Sequence, residues 1–185
     1  DDQRRDLGAG VAGRQRRDYR LFRLADKLTY SDGDQSLTLS TFWSWKDLDH
    51  PIFQVIDQLS NDLGFDLRYD GHHHFFGLEN DLTLGTSFMY GNTQDQRFLN
   101  VGGQRGAKVA DYELQAINYT LYLNDVLHVT ERFALIAGLQ GLYASRDLNE
   151  QTIFGPDNTD RLSYSGISPK AGFIYELDPQ TQIYF

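Results

Sequence analysis

Two long runs of alternating residues, Asp111 to Ser145 joined at Thr130, Glu131 and Arg132, constrain this chain more than any other stretch. In the second run Phe133, Leu135, Ala137, Leu139 and Tyr143 share one parity, while Gly138, Gln140 and Ala144 take the other. A period of two places such sets on opposite faces of a β-strand. The run implies a strand of about a dozen residues, against roughly five or six for an ordinary globular strand. A hairpin that long, apolar on one face and with aromatics near its ends, fits a wall that crosses a bilayer.

The pattern recurs along the chain. Phe22, Leu24, Leu28 and Tyr30 mark a first strand over 19–31, followed by turn chemistry at Ser31, Asp32, Gly33 and Asp34. Leu37, Leu39, Thr41, Trp43 and Trp45 mark the second. The sharpest alternation sets Leu63, Phe65, Leu67 and Tyr69 against Asp62, Gly64, Asp66, Arg68 and Asp70. Leu82, Leu84, Thr86, Phe88 and Tyr90 follow, and after the central hairpin come a strand over 162–176 and the start of another at Thr181. Within the first run of that hairpin the phase changes near Ala116, which predicts a bulge there or a passage out of the apolar zone. Pro51, with Ile52, Val55, Ile56 and Leu59 at helical spacing, predicts a short amphipathic helix inside a loop.

The connections sort by length. Long ones are expected at 1–18, 47–60, 93–110 and 146–161, short ones at 32–35, 72–80, 130–132 and 177–180. Short turns at one rim and long loops at the other characterise outer-membrane barrels, whereas a soluble sandwich has no reason to sort them. Tyr30, Trp43, Trp45, Tyr69, Tyr90, Tyr119, Tyr143, Tyr164 and Tyr175 lie near strand ends, where amphipathic rings suit the headgroup level.

Composition narrows the rest. The 185 residues contain no cysteine, so disulfide and cysteine-zinc frameworks are excluded. Lys and Arg total 17 against 26 acids, a net charge of -9, which excludes phosphate-backbone binding and makes nucleic acid an unsuitable partner. No run approaches the roughly 18 apolar residues of a membrane helix, and no leader peptide opens the chain, which implies a mature chain or a fragment. The mean hydropathy of -0.51 agrees with a barrel that shows lipid only every second residue.

Candidate chemistry is sparse. His72, His73 and His74 alternate faces, so at most two can share a metal, and a turn rim explains them better. Gly102, Gly103 and Gly106 lack the strand-to-helix context of a phosphate loop. No G-x-S-x-G occurs and nothing places a serine beside His50 or His128. Asp62, Asp66, Arg68 and Asp70 read as the water side of a strand. No catalytic residue, metal ligand or cofactor site is expected.

The stretch LSYSGISPKAGFIYELDPQTQIYF, with Ser168, Pro169, Lys170, Ala171 and Gly172 before an aromatic-ended strand and a Pro-containing turn, resembles the barrel signature of TonB-dependent outer-membrane receptors. Asn118 to Gly141 is similar to the hairpin upstream of it in that family, and YRLFRLADKLTYSDGDQSLTLSTFWSW with DHPIFQVID is similar to the iron-siderophore members. The resemblance implies an all-β antiparallel transmembrane β-barrel of about 22 strands closed by an N-terminal plug. It implies short periplasmic turns, long extracellular loops, a place in the bacterial outer membrane, and plug-mediated dependence on the TonB complex for active uptake of a ferric siderophore or similar nutrient. Residues 1–185 then form about eight strands of that barrel, with 1–18 an extracellular loop and no plug domain. Arg97, Arg105 and Arg161 are the expected contacts for an anionic ligand, because a guanidinium meets carboxylate or catecholate oxygens with two donors. Two alternatives stay open: a complete eight-stranded barrel with a passive or structural role, and a soluble β-sandwich binding module.

Overall fold

The computed structural model describes residues 14–151 and 159–185. They form eight strands: β1 (Asp18–Asp32), β2 (Gln35–Pro51), β3 (Gln54–Phe75), β4 (Leu78–Val101), β5 (Gln104–Thr130), β6 (Phe133–Glu150), β7 (Asp160–Asp178) and β8 (Thr181–Tyr184). Each pairs antiparallel with its neighbour in the chain, giving one sheet in the order β1 to β8. No pairing joins β1 to β8 among the described residues, so the sheet is an open arc rather than a closed small barrel.

Register carries the alternation of each strand into its neighbour. Leu39, Leu67, Thr86, Leu121 and Gly141 align across β2 to β6. The next outward row runs Thr41, Phe65, Phe88, Tyr119 and Tyr143. These rows make one apolar face that no second sheet covers: Leu63 is 45 % exposed, Leu121 51 % and Leu139 52 %. A β-sandwich would bury all three, so the sandwich alternative is corrected here. The opposite face is the crowded one. Ser44 is 6 % exposed and Ala144 2 %, as expected where side chains converge on the concave side of a curled sheet.

The sheet also corrects the loop assignments. Residues 52–59 are not helical: β2 runs to Pro51, β3 resumes at Gln54, and only Ile52 and Phe53 turn. Val55 pairs with Pro51 and Phe98 and is 1 % exposed, so its branched side chain stabilises a strand by cross-strand packing that a helix could not supply. Likewise 93–110 is mostly strand, with a two-residue tip at Gly102 and Gly103, both at positive φ (63° and 87°). That backbone is the hairpin turn that favours Gly-Gly, and it accounts for these glycines without a phosphate. The long connections are therefore overgrown hairpins, distinguished by how far their strands run on, while the opposite rim closes at once with turns such as Phe76–Gly77 and Glu131–Arg132.

The register passes Ala116 without a shift; the irregularity lies between Arg97 and Asn100, opposite Ala110 to Arg105. The phase change at Ala116 is thus the alternative reading, a passage out of the apolar band, where Leu114 lines the inner face. Tyr164 is also corrected: it pairs with Ala144, on the face opposite Tyr143, and belongs to the inner wall rather than to the aromatic rim. The expected connection 146–161 shortens to a segment between Glu150 and Asp160, most of which lies outside the described residues, as do positions 1–13 of the expected first loop.

Candidate ligand-facing wall

The inner face is built level by level from the register. At one level stand Arg23, Ser44, Asp62, Gly91, Ala116, Arg146 and Leu162, one from each of β1 to β7. Two levels further from the two-residue turns, Gln58 donates to Asp95 at 2.9 Å and Asp95 pairs with Tyr112. Two levels nearer those turns stand Lys27, Ser40, Asp66, Ser87 and Thr120, followed by Arg68, which holds Asp70 at 2.6 Å, with Thr83 also donating to Asp70 at 2.8 Å. Asp62, Asp66, Arg68 and Asp70 therefore all lie on the water-facing wall.

The three arginines expected to bind ligand are not gathered into one site. Arg97 lies on the inner face, its Nη2 3.2 Å from the buried Asp95 carboxylate and its guanidinium 5.3 Å from the Tyr112 ring centroid. Arg105 reaches the outer face: its Nη1 is 2.6 Å from Asp57, and it stacks 5.5 Å from the Phe98 ring centroid. Arg161 pairs with Asp147 across β6 and β7, also with outer parity, and donates to it through Nη2 at 2.7 Å. All three are held by carboxylates of this chain.

Sequence reasoning passed over Arg146, which it placed in a loop. Its Nη1 donates to the carbonyl oxygens of Ile117 at 3.0 Å and Ser145 at 2.7 Å, and its Nη2 to Asn118 Oδ1 at 2.7 Å. Beside it opens a hollow of about 300 Å³ lined by Asp62, Gly91, Thr93, Leu114 and Leu162 among others. Only the pairing of β3 to β6 brings Asp62 and Arg146 to one level; no spacing in the chain signals it.

The histidines divide as alternation requires. His72 and His74 share the inner face with ring centroids 5.8 Å apart, while His73 faces outward and is hydrogen-bonded to Tyr69 Oη at 2.7 Å. His72 and His128 meet the two oxygens of Asp81 at 2.8 and 2.9 Å. Among the described residues no three His, Asp or Glu side chains are arranged to hold a metal ion.

A single curled sheet, apolar outside and polar inside, long at one rim and tight at the other, is the geometry of a barrel wall. A family profile described as TonB dependent receptor-like, beta-barrel, matches residues 1–185. The chain belongs to the TonB-dependent receptor β-barrel family. Solved structures with the same fold include the ferric citrate transporter FecA in its unliganded form (14% identity, TM-score 0.76, 92% of this chain and 27% of that one). They also include the ferric-catecholate import receptor Fiu from E. coli (13%, 0.70, 92% and 35%). The alcaligin outer-membrane receptor FauA from Bordetella pertussis is a third (16%, 0.73, 89% and 27%). This chain thus spans about a third or less of the length of these receptors. No curated protein matches it by sequence.

Membership in the family places the TonB-dependent receptor wall in the outer membrane and orients it. The apolar face meets lipid, the polar face lines the lumen, the turns at 33–34, 76–77, 131–132 and 179–180 are periplasmic, and the long hairpins that end at 52–53 and 102–103 project outside the cell. The family consists of transport receptors rather than enzymes.

The extracellular hairpin tips carry their own titration. Burial pushes the Asp57 carboxyl above its ordinary range; Asp47 and Asp49 add to the rise, and Arg105 and Lys108 oppose it. A raised folded value means that the folded tip takes up a proton before the unfolded chain does. Its stability should therefore increase as pH falls from neutral through the raised value, and decrease on the way back. The protection factors of the Val55 and Ile56 amides, with the intrinsic pH dependence of exchange divided out, are expected to rise over that range in the wild type and to stay level in Asp57→Asn. Protection factors that fall on acidification would show instead that the Arg105 ion pair dominates.

Proposed function

We propose that these 185 residues are a stretch of a longer receptor that takes up a ferric siderophore or a similar scarce chelate across the outer membrane. The observation that carries this reading is the family match over the whole chain on a wall whose inner face carries a polar or charged side chain on each of β1 to β7, such as Arg23, Ser44, Asp62, Ser87, Thr120, Arg146 and Lys170. FecA and Fiu are named for ferric citrate and ferric catecholate, and the reading extends that kind of cargo to this protein. In it, a plug domain fills the lumen, and contact with the TonB complex drives its rearrangement so that transport is active. The sheet itself performs no chemistry; it presents a hydrated wall and an extracellular mouth.

Arg97 is the expected arginine best placed for a ligand that enters from outside, because its parity directs it to the lumen side. Arg105 and Arg161 serve more directly to tie the outer faces of the hairpins, through Asp57 and Asp147. The test is uptake of radioiron by the native host under iron starvation, with and without the gene, over a panel of hydroxamate, catecholate and citrate chelates. Loss of uptake of at least one chelate is expected on deletion, with restoration by the complete receptor. Unchanged uptake across the panel would overturn the reading.

A further inference from the structure

The level that holds Arg146 contains a charge arrangement that the wall itself does not use. Arg146 is bonded to three neutral acceptors, two carbonyls and the Asn118 amide oxygen. A guanidinium has five N–H donors, so among the described residues its Nε–H and one Nη2–H stay open. Across the hollow, the hydrogen bond found for the Asp62 carboxylate is that from the Ser44 hydroxyl, at a long 3.4 Å. The carboxylate leans over β4, since a Cβ on Gly91 would lie 2.7 Å from Asp62 Oδ1. The Arg146 guanidinium lies over β5, at Ile117 and Asn118. These strands are neighbours, about 4.7–4.9 Å apart. Opposite charges thus stand over neighbouring strands at one hollow, yet among the described residues neither makes an ion pair.

We propose that Asp62 and Arg146 form a two-point cradle on the lumen wall for a ligand group that carries a carboxylate beside a hydroxyl or an ammonium, as hydroxy acids and amino acids do. Arg146 takes the carboxylate and Asp62 the adjacent donor. Gly91 and Ala116 supply the floor, because any larger side chain there would fill the space. One more charge at the hollow supports a mixed group over a plain anion: Asp160 lines it as well. A bare anion would be attracted by Arg146 but would have no donor to offer the Asp62 and Asp160 carboxylates beside it. The cradle deepens the transport reading by naming the chemistry its cargo presents.

The test uses the complete receptor, purified in detergent, with citrate and tricarballylate as probes, each with and without ferric iron. Tricarballylate keeps the carboxylates of citrate and lacks its hydroxyl. Wild-type receptor is expected to bind citrate more tightly than tricarballylate. Arg146→Gln should weaken both by about tenfold or more, the effect of losing a charged hydrogen bond. Asp62→Ala should bring citrate down to the tricarballylate level and leave tricarballylate unchanged or improved. Thermal unfolding of the variants without probe checks that they fold. Binding that ignores either substitution, or no binding to the wild type, overturns the cradle. A receptor that imports a chelate equally well with both residues replaced removes the cradle and keeps the transport reading. One that binds citrate through both residues but imports none of the chelate panel does the reverse.

Discussion

Leu121→Arg is expected to lower the folding stability of the barrel by about 2–4 kcal/mol, the depth-dependent cost of an arginine near the bilayer midplane on a lipid-facing strand. Leu121 is 51 % exposed in the middle of the outward band, between Thr86 and Gly141. Its sequence neighbour provides the contrast. Thr120 lies at the level of Asp66 and Ser87 on the lumen face, where a cation meets water and acids. Thr120→Lys should leave stability nearly unchanged. Folding titrations of the complete receptor into lipid vesicles, read by the heat-modifiable shift on gels, distinguish the two. Equal tolerance of both substitutions would mean that the outward face does not meet lipid.

The second large effect is steric. Phe42 and Gly64 pair directly across β2 and β3, and the Phe42 ring lies over the glycine. A Cβ at position 64 would come within 2.6 Å of Phe42 Cε1 and within 2.6 Å of the Phe88 carbonyl oxygen. Gly64→Ala is therefore expected to destabilise by roughly 1–3 kcal/mol, the range for overpacking, by expelling the ring or parting β3 from β4. Phe42→Ala added to it removes the ring clash and leaves the carbonyl, so the double variant should recover only part of the loss. Full recovery would make the ring the sole obstacle; no loss in the single variant would remove the close approach altogether.

Much of this architecture is legible in the residues. The alternation of Leu63 to Tyr69 and of Phe133 to Tyr143 identifies strands and their apolar sides because side-chain direction depends only on backbone period. Short turns are legible for the same local reason: Asp32 with Gly33, and Asp178 with Pro179, carry their own conformational preferences. The misread segments are those where polar composition was taken for a loop. Thr93 to Ala110 has few apolar residues, yet it is strand, because each partner supplies the backbone hydrogen bonds that hold it extended outside the membrane. The helix expected after Pro51 failed in the same way. Val55 and Ile56 are common to both patterns, and packing against Pro51 and Phe98 decided between them.

What the sequence by itself determined is which side of each strand is greasy; that this side is left open to lipid and not packed on a second sheet was decided by the fold, in which Leu63, Leu121 and Leu139 stay exposed. Which residues share a level on that wall was decided by the tertiary structure alone. Register is set by pairing summed along whole strands, so Asp62 and Arg146, distant in the chain and on strands that are not paired, come to one level only when β3, β4, β5 and β6 are laid side by side. The same summation sends Arg97 inward and joins Arg105 to Asp57 on the outer face, a separation invisible to residue type, because a guanidinium reads the same on either side of a sheet.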